Sequence, residues 1–109
     1  MIETVLQALV EPHRREILEY LRAGELSSGQ VSAHFTLTRP AVSQHLKVLT
    51  EAGLITMRRE GTKRIYRARP QGLAELRKFI ETFWDDSLQE LKRQAEAEEK
   101  KARQRDKRK

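Results

Sequence analysis

Residues 38–54, TRPAVSQHLKVLTEAGL, constrain this chain more than any other stretch, because both ends of a helix are written into them. Thr38 has an N-cap hydroxyl that can accept an orphan backbone N–H, Pro40 is tolerated only in a first turn, and Gly53 suits a left-handed exit. At about 100° per residue, Val42, Leu46 and Leu49 fall on one stripe, with Pro40, Ser43, Gln44 and Lys47 opposite. A helix face with nothing to read is usually packed with alternating Glu and Lys. This one carries short donor–acceptor side chains and a single lysine, which suit base edges and phosphates. The same periodicity would serve an ordinary helix of a small bundle, so the neighbouring segments decide.

Upstream, residues 2–10 place Ile2, Val5, Leu6 and Leu9 at helical spacing, a short helix with one apolar side that would be marginal alone. Glu11-Pro12 ends it and opens another, since proline fits a first turn and a carboxylate complements the helix dipole. Ile17, Leu18 and Leu21 supply the buried stripe of this second helix and Gly24 its stop. His13, Arg14 and Arg15, cations at a positive helix end, require a carboxylate or phosphate partner; an ion pair within the chain is the reading preferred. Ser27 with Gln30 forms a capping box for a short helix running to about residue 34, and residues 35–37 leave room only for a turn. Short helix, turn and capped helix make a helix-turn-helix, whose second helix enters the major groove of DNA.

After Gly53, LITMRRE and TKRIYRA are strand-like runs separated at Glu60-Gly61, a hairpin signal. Alternation pairs Ile55 and Met57 with Tyr66 and Ala68 on the core side and leaves Ile65 awkward. Arg58, Arg59, Lys63 and Arg64 flank the turn. Guarding an edge strand takes one or two charges, whereas six of one sign lie between residues 58 and 69, which points to phosphate or minor-groove contact.

A long helix is expected from about residue 71 into the nineties. Leu73, Leu76, Ile80, Phe83, Trp84, Leu88 and Leu91 recur at steps of three and four, and Phe79 widens the band. That face is too broad for so small a domain to cover. A homodimer interface is therefore expected, built from Leu76, Phe79, Ile80, Phe83, Trp84, Leu88 and Leu91 with Val5, Leu6 and Leu9 of the first helix.

The 109 residues suffice for one domain with one modest core, taken as 1–91, followed by a charged basic tail, 92–109, partly helical or disordered. The formal net charge is +6. Most of the excess lies in that tail, with 9 basic and 4 acidic side chains, against 13 and 12 in residues 1–91. Cysteine is absent, which excludes disulfides and thiolate chemistry. With no apolar run near the roughly 18 residues of a membrane span, the expectation is a cytoplasmic protein without membrane contact. The fold class expected is mostly α with a small β hairpin, α+β.

Three pieces, EPHRREIL, TRPAVSQHLKVLTEAGLI and RREGTKRIYRA, together resemble the ArsR/SmtB-type family of bacterial winged-helix repressors, over roughly residues 5–69. The resemblance implies a homodimeric winged helix-turn-helix, joined through its first and last helices, that binds a near-palindromic operator in double-stranded DNA and blocks transcription. On the matching motif, Ser43, Gln44 and Lys47 take the reading face, Arg39 the helix entrance, and the Glu60-Gly61 turn the wing; Thr38 and Pro40, with Arg58, Arg59, Lys63 and Arg64, complete the candidate DNA-binding residues. Many family members sense metals through cysteines in the helix before the reading helix. Here that segment reads Glu25-Leu26-Ser27-Ser28-Gly29-Gln30-Val31, without either thiolate. Asp85 and Asp86 stand where a second family site uses Asp and His pairs, but no histidine follows His45. His13, His34 and His45 lack ligand-like spacing with one another, and His45 reads as a structural residue. No metal and no cofactor are expected, and an effector, if one exists, is not written in ligand residues.

Two other functions compete. An RNA- or ribosome-associated winged helix would use the same cations but lacks exposed aromatics for stacking on splayed bases, and an interaction adaptor would use the wide apolar helix face. Catalysis is not expected: no serine has a base and orienter at readable spacing, and there is no glycine-rich phosphate loop.

Overall fold

A computed structural model describes residues 2–107 and divides into two compact units, Met1–Leu76 and Arg77–Lys109. Helix α1 spans Ile2–Val10 and α2 Pro12–Ala23. A two-residue strand β1, Leu26–Ser27, leads into the short α3, Ser28–Ser32. Helix α4 covers Arg39–Glu51, strands β2 and β3 cover Ile55–Glu60 and Lys63–Ala68, and a 3₁₀ turn, Pro70–Leu73, precedes α5, Ala74–Lys107. No helix is long and apolar enough to cross a membrane.

Helices α2, α3 and α4 start where the sequence marks them, whereas α5 begins at Ala74 and not at about residue 71, because residues 70–73 form the 3₁₀ turn. Glu11 caps α2 by accepting the Arg14 backbone N–H at 3.1 Å. Ser27 and Gln30 satisfy each other's backbone N–H groups in a complete capping box. Thr38 Oγ1 accepts from the Ala41 N–H at 3.3 Å. At its other end α4 closes in a Schellman motif: the Gly53 N–H reaches the Thr50 carbonyl and the Leu54 N–H the Leu49 carbonyl, both at 3.0 Å, with Gly53 at φ 74°.

One core gathers these elements. Val5 and Ala8 of α1, Ile17 and Leu21 of α2, Val31 of α3 and Val42, Leu46 and Leu49 of α4 meet Leu54, which follows the exit of α4, and Ile55 and Tyr66 of the sheet. The fully buried leucines among them each contribute about 1.5–3 kcal/mol relative to an exposed state. Val5 belongs to this core at 5% exposure, so it anchors α1 to its own subunit and is not free for a partner, contrary to the expectation from periodicity. Leu9 and Leu76 are half-buried against the same core, while Leu6 stays exposed.

The sheet has three strands in the order β1-β3-β2, all antiparallel, one strand more than the sequence suggested. Ile55 pairs with Ala68 and Met57 with Tyr66, as alternation requires, but Met57 is 39% exposed and does not lie on the core side as expected. Ile65 is accounted for by the added strand, where it lies opposite Ser27. In the second unit, α5 continues as unbroken helix through the basic tail to Lys107; residues 108 and 109 lie outside the described residues.

Candidate nucleic-acid interface

The capped helix α4 turns one side into the core and the other to solvent. Val42, Leu46 and Leu49 are at most 1% exposed, whereas Thr38, Arg39, Pro40, Ser43, Gln44 and Lys47 are all exposed. Burial of the apolar stripe fixes the rotation of the helix about its axis. The uncharged pair Ser43-Gln44 is consequently presented outward with Lys47 one turn along, and none of the three spends its side chain on an intramolecular hydrogen bond among the described residues.

The β2-β3 hairpin places its cations by register. Glu60 and Lys63 face each other beside the turn, where Gly61 has φ 63°, and Arg59 lies directly across from Arg64. Like charges opposite each other destabilise a strand pair, so this arrangement gains from an external anion. Among the described residues, Arg39, Lys47, Arg59, Lys63, Arg64 and Arg67 have no carboxylate within ion-pair distance. Arg58 differs. It holds Glu25 at 2.7 Å and Glu60 at 3.3 Å, tying the hairpin to the strand entry before α3, and so acts first as a strut.

Arg14 and Arg15 also find partners that local sequence did not reveal. Arg14 donates through Nε to the Ala8 carbonyl at 2.7 Å and through Nη2 to that of Gln7 at 3.0 Å. Arg15 donates to the carbonyls of Leu9 at 2.6 Å and Val10 at 3.0 Å. These are the unpaired acceptors at the C-terminal end of α1, so the two arginines clamp α1 onto α2 in place of ion pairs with carboxylates. Only His13 takes the expected carboxylate, Glu11, at 2.8 Å.

Two of the three histidines, 32 residues apart, meet on that carboxylate. The rings of His13 and His45 stack with centroids 5.7 Å apart, and His45 Nε2 lies 3.9 Å from Glu11 Oε2. Partial burial alone would raise the Glu11 carboxyl, but the hydrogen bonds from His13 and the Arg14 N–H outweigh it and hold the group below its ordinary value. Burial pushes His45 below its ordinary value; the Glu11 charge opposes this, while Arg14 and His13 add to it. His34 stacks on Tyr20 with centroids 3.9 Å apart.

Gly72 was also missed by sequence reasoning. A Cβ there would collide with the Gly53 carbonyl, because the 3₁₀ turn packs directly on the exit of α4. The same peptide receives Arg69, whose N–H donates to the Leu54 carbonyl at 2.8 Å and whose guanidinium donates to that of Gly53 at 3.1 Å.

Comparison with known proteins places this architecture. Residues 11–57 match the model of a family described as "Bacterial regulatory protein, arsR family". The chain is 46% identical over 82 residues to the HTH-type transcriptional regulator Rv2034 of Mycobacterium tuberculosis, covering 75% of this chain and 77% of that protein. It is 35% identical over 60 residues to the transcriptional repressor SdpR of Bacillus subtilis, covering 55% and 67% respectively. A crystal structure described as a possible transcriptional regulator for arsenical resistance superposes with a TM-score of 0.67 at 49% identity, over 79% of this chain and 90% of that one.

Proposed function

This chain belongs to the arsR family of bacterial regulatory proteins and is a DNA-binding transcriptional regulator; from that premise we propose that it works as a homodimeric repressor of a near-palindromic operator. Helix α4 reads the major groove through Ser43 and Gln44, with Lys47, Arg39 and the entrance residues Thr38 and Pro40 against the backbone. Arg59, Lys63 and Arg64 of the wing neutralise phosphate, and Arg58 supports the wing from Glu25. The observation that carries this reading is the solvent-facing, uncharged side of α4, which the core holds in one orientation.

Dimerisation is supported by the second unit. Phe79, Ile80, Phe83, Trp84, Leu88 and Leu91 are each 44% exposed or more, a run of apolar surface along one helix that a partner subunit would cover. A two-fold axis would set the reading helices about one helical turn apart, roughly 34 Å, to match paired half-sites. The sign of control is carried over from relatives described as repressors, such as SdpR of Bacillus subtilis.

Selection of bound fragments from random duplex DNA tests the whole reading, and a two-fold symmetric motif is the expected result. On that motif, Gln44→Ala should lower the preference over scrambled DNA by about 1–3 kcal/mol, read as the ratio of two dissociation constants. Equal loss on both sequences would remove Gln44 from base recognition.

A further inference from the structure

Glu11, His13 and His45 stand apart from the side chains assigned to DNA. They offer one carboxylate oxygen and two imidazole nitrogens, all within 4.8 Å of one another, and all three side chains are half-buried. We propose that these three residues form a binding site for one divalent transition ion of the Zn2+ class, open to water at its remaining position, that staples α2 to α4.

The donor set suits such an ion. Two imidazoles and a carboxylate are borderline ligands that favour Zn2+, Co2+ or Ni2+ over hard cations, and three protein ligands with an open position make a recognised zinc arrangement. Metal–ligand distances of about 2.0–2.2 Å in a tetrahedron require donors about 3.3 Å apart. Glu11 Oε1 lies 2.8 Å from His13 Nδ1 and Glu11 Oε2 lies 3.9 Å from His45 Nε2, and one donor atom from each of the three residues lies within 4.8 Å of the other two. Convergence on one ion therefore needs each separation to change by no more than about 1.5 Å. The residues sit on elements that the core already holds together: Glu11 caps α2, His13 lies in its first turn, and His45 lies on α4 between the buried Val42 and Leu46.

Arg14 sets the cost of loading. Its Nη1 lies 3.4 Å from His45 Nδ1, and because a guanidinium only donates, His45 carries its proton on Nε2 in the unloaded arrangement. An ion on Nε2 moves that proton to Nδ1 with no net release, and the contact from Arg14 is given up. Arg14 keeps its two backbone acceptors, Ala8 and Gln7, so it remains anchored. The carboxylate and guanidinium cancel in charge, so nothing beyond the ligand set adds attraction for the cation. Affinity should therefore be moderate.

This site stands whether or not α4 reads DNA, and its test does not involve DNA. The full chain, freed of any affinity-tag histidines, is titrated with Co2+ as an optical probe and then with Zn2+ as competitor. The expected result is one Co2+ per chain with the intense visible bands of four- or five-coordination, bleached by one equivalent of Zn2+, and a Tm that rises with Zn2+ concentration. His13 is 40% exposed at its side chain, so His13→Ala should fold and bind Co2+ about 100-fold more weakly or worse, without those bands. Glu11→Gln checks the carboxylate, with its circular dichroism read first because Glu11 also caps α2. Only the weak spectrum of hydrated Co2+ in the parent chain, or unchanged bands and affinity in His13→Ala, would overturn the assignment.

Discussion

Helices α4 and α5 both carry apolar stripes of helical period, yet the chain covers one and leaves the other bare. Leu46 and Leu49 of α4 are at most 1% exposed, whereas Phe83 is 66% and Trp84 60% exposed on α5. The difference lies in neighbours. α4 is surrounded by α2, α3 and β2 within its own unit, so its apolar side is consumed locally and its polar side is left for a ligand. From Phe79 to Leu91, α5 offers the reverse, an apolar side still open to a partner. One helix gains its orientation from the subunit's own core, and the other provides surface suited to joining two subunits.

Substitutions can break this contrast in order of size. The largest effect is expected at Leu49, where truncation to alanine removes a fully buried side chain and should cost about 2–5 kcal/mol, read from urea denaturation of the chain without DNA. If that loss were below about 1 kcal/mol, α4 would not be held by its core. Trp84→Ala should leave the folded subunit nearly as stable but weaken dimerisation by about 2 kcal/mol or more, measured by sedimentation equilibrium. Equal effects on monomer and dimer would place Trp84 on the same footing as Leu49. The third change concerns the wing. Replacing Arg59 and Lys63 together by alanine should leave base preference intact and reduce the slope of log affinity against log salt by about 2, near 0.9 for each phosphate that the wing no longer neutralises. A salt slope unchanged by the pair would take the wing off the duplex. The smallest is expected at Thr38, whose loss as a cap in Thr38→Ala should lower stability by about 1 kcal/mol by thermal denaturation while leaving the Gln44-dependent preference unaltered.

What the sequence discloses follows the range of the interaction. Caps, turns and stripes depend on residues within a few positions of each other, so α1, α2, α4, the Gly53 exit and the hairpin register are all legible in the residues alone. β1 is not, because two residues, one of which also caps α3, give no strand period. Arg14 and Arg15 read as cations needing anions, but their partners are carbonyls at a helix end, which has no side-chain signature. Val5 shares the period of the bare stripe and differs from Leu6 only in which way α1 rolls against α2. The meeting of His13 with His45 is set by packing between α2 and α4, which no spacing rule encodes. Of the candidate DNA-contacting residues, the outward face of α4 is legible because burial of its opposite side determines it; the strut role of Arg58 is not, since Glu25 lies 33 positions away.

The junction at Gly53 has a mechanical consequence. Its peptide is gripped by the Arg69 side chain and overlain by Gly72, two residues before α5 begins, so the end of the hairpin, the exit of α4 and the root of the longest helix share a single knot. A side chain at residue 72 has no room beside the Gly53 carbonyl, so even one methyl group there would pry apart the exit of α4 and the turn that precedes α5.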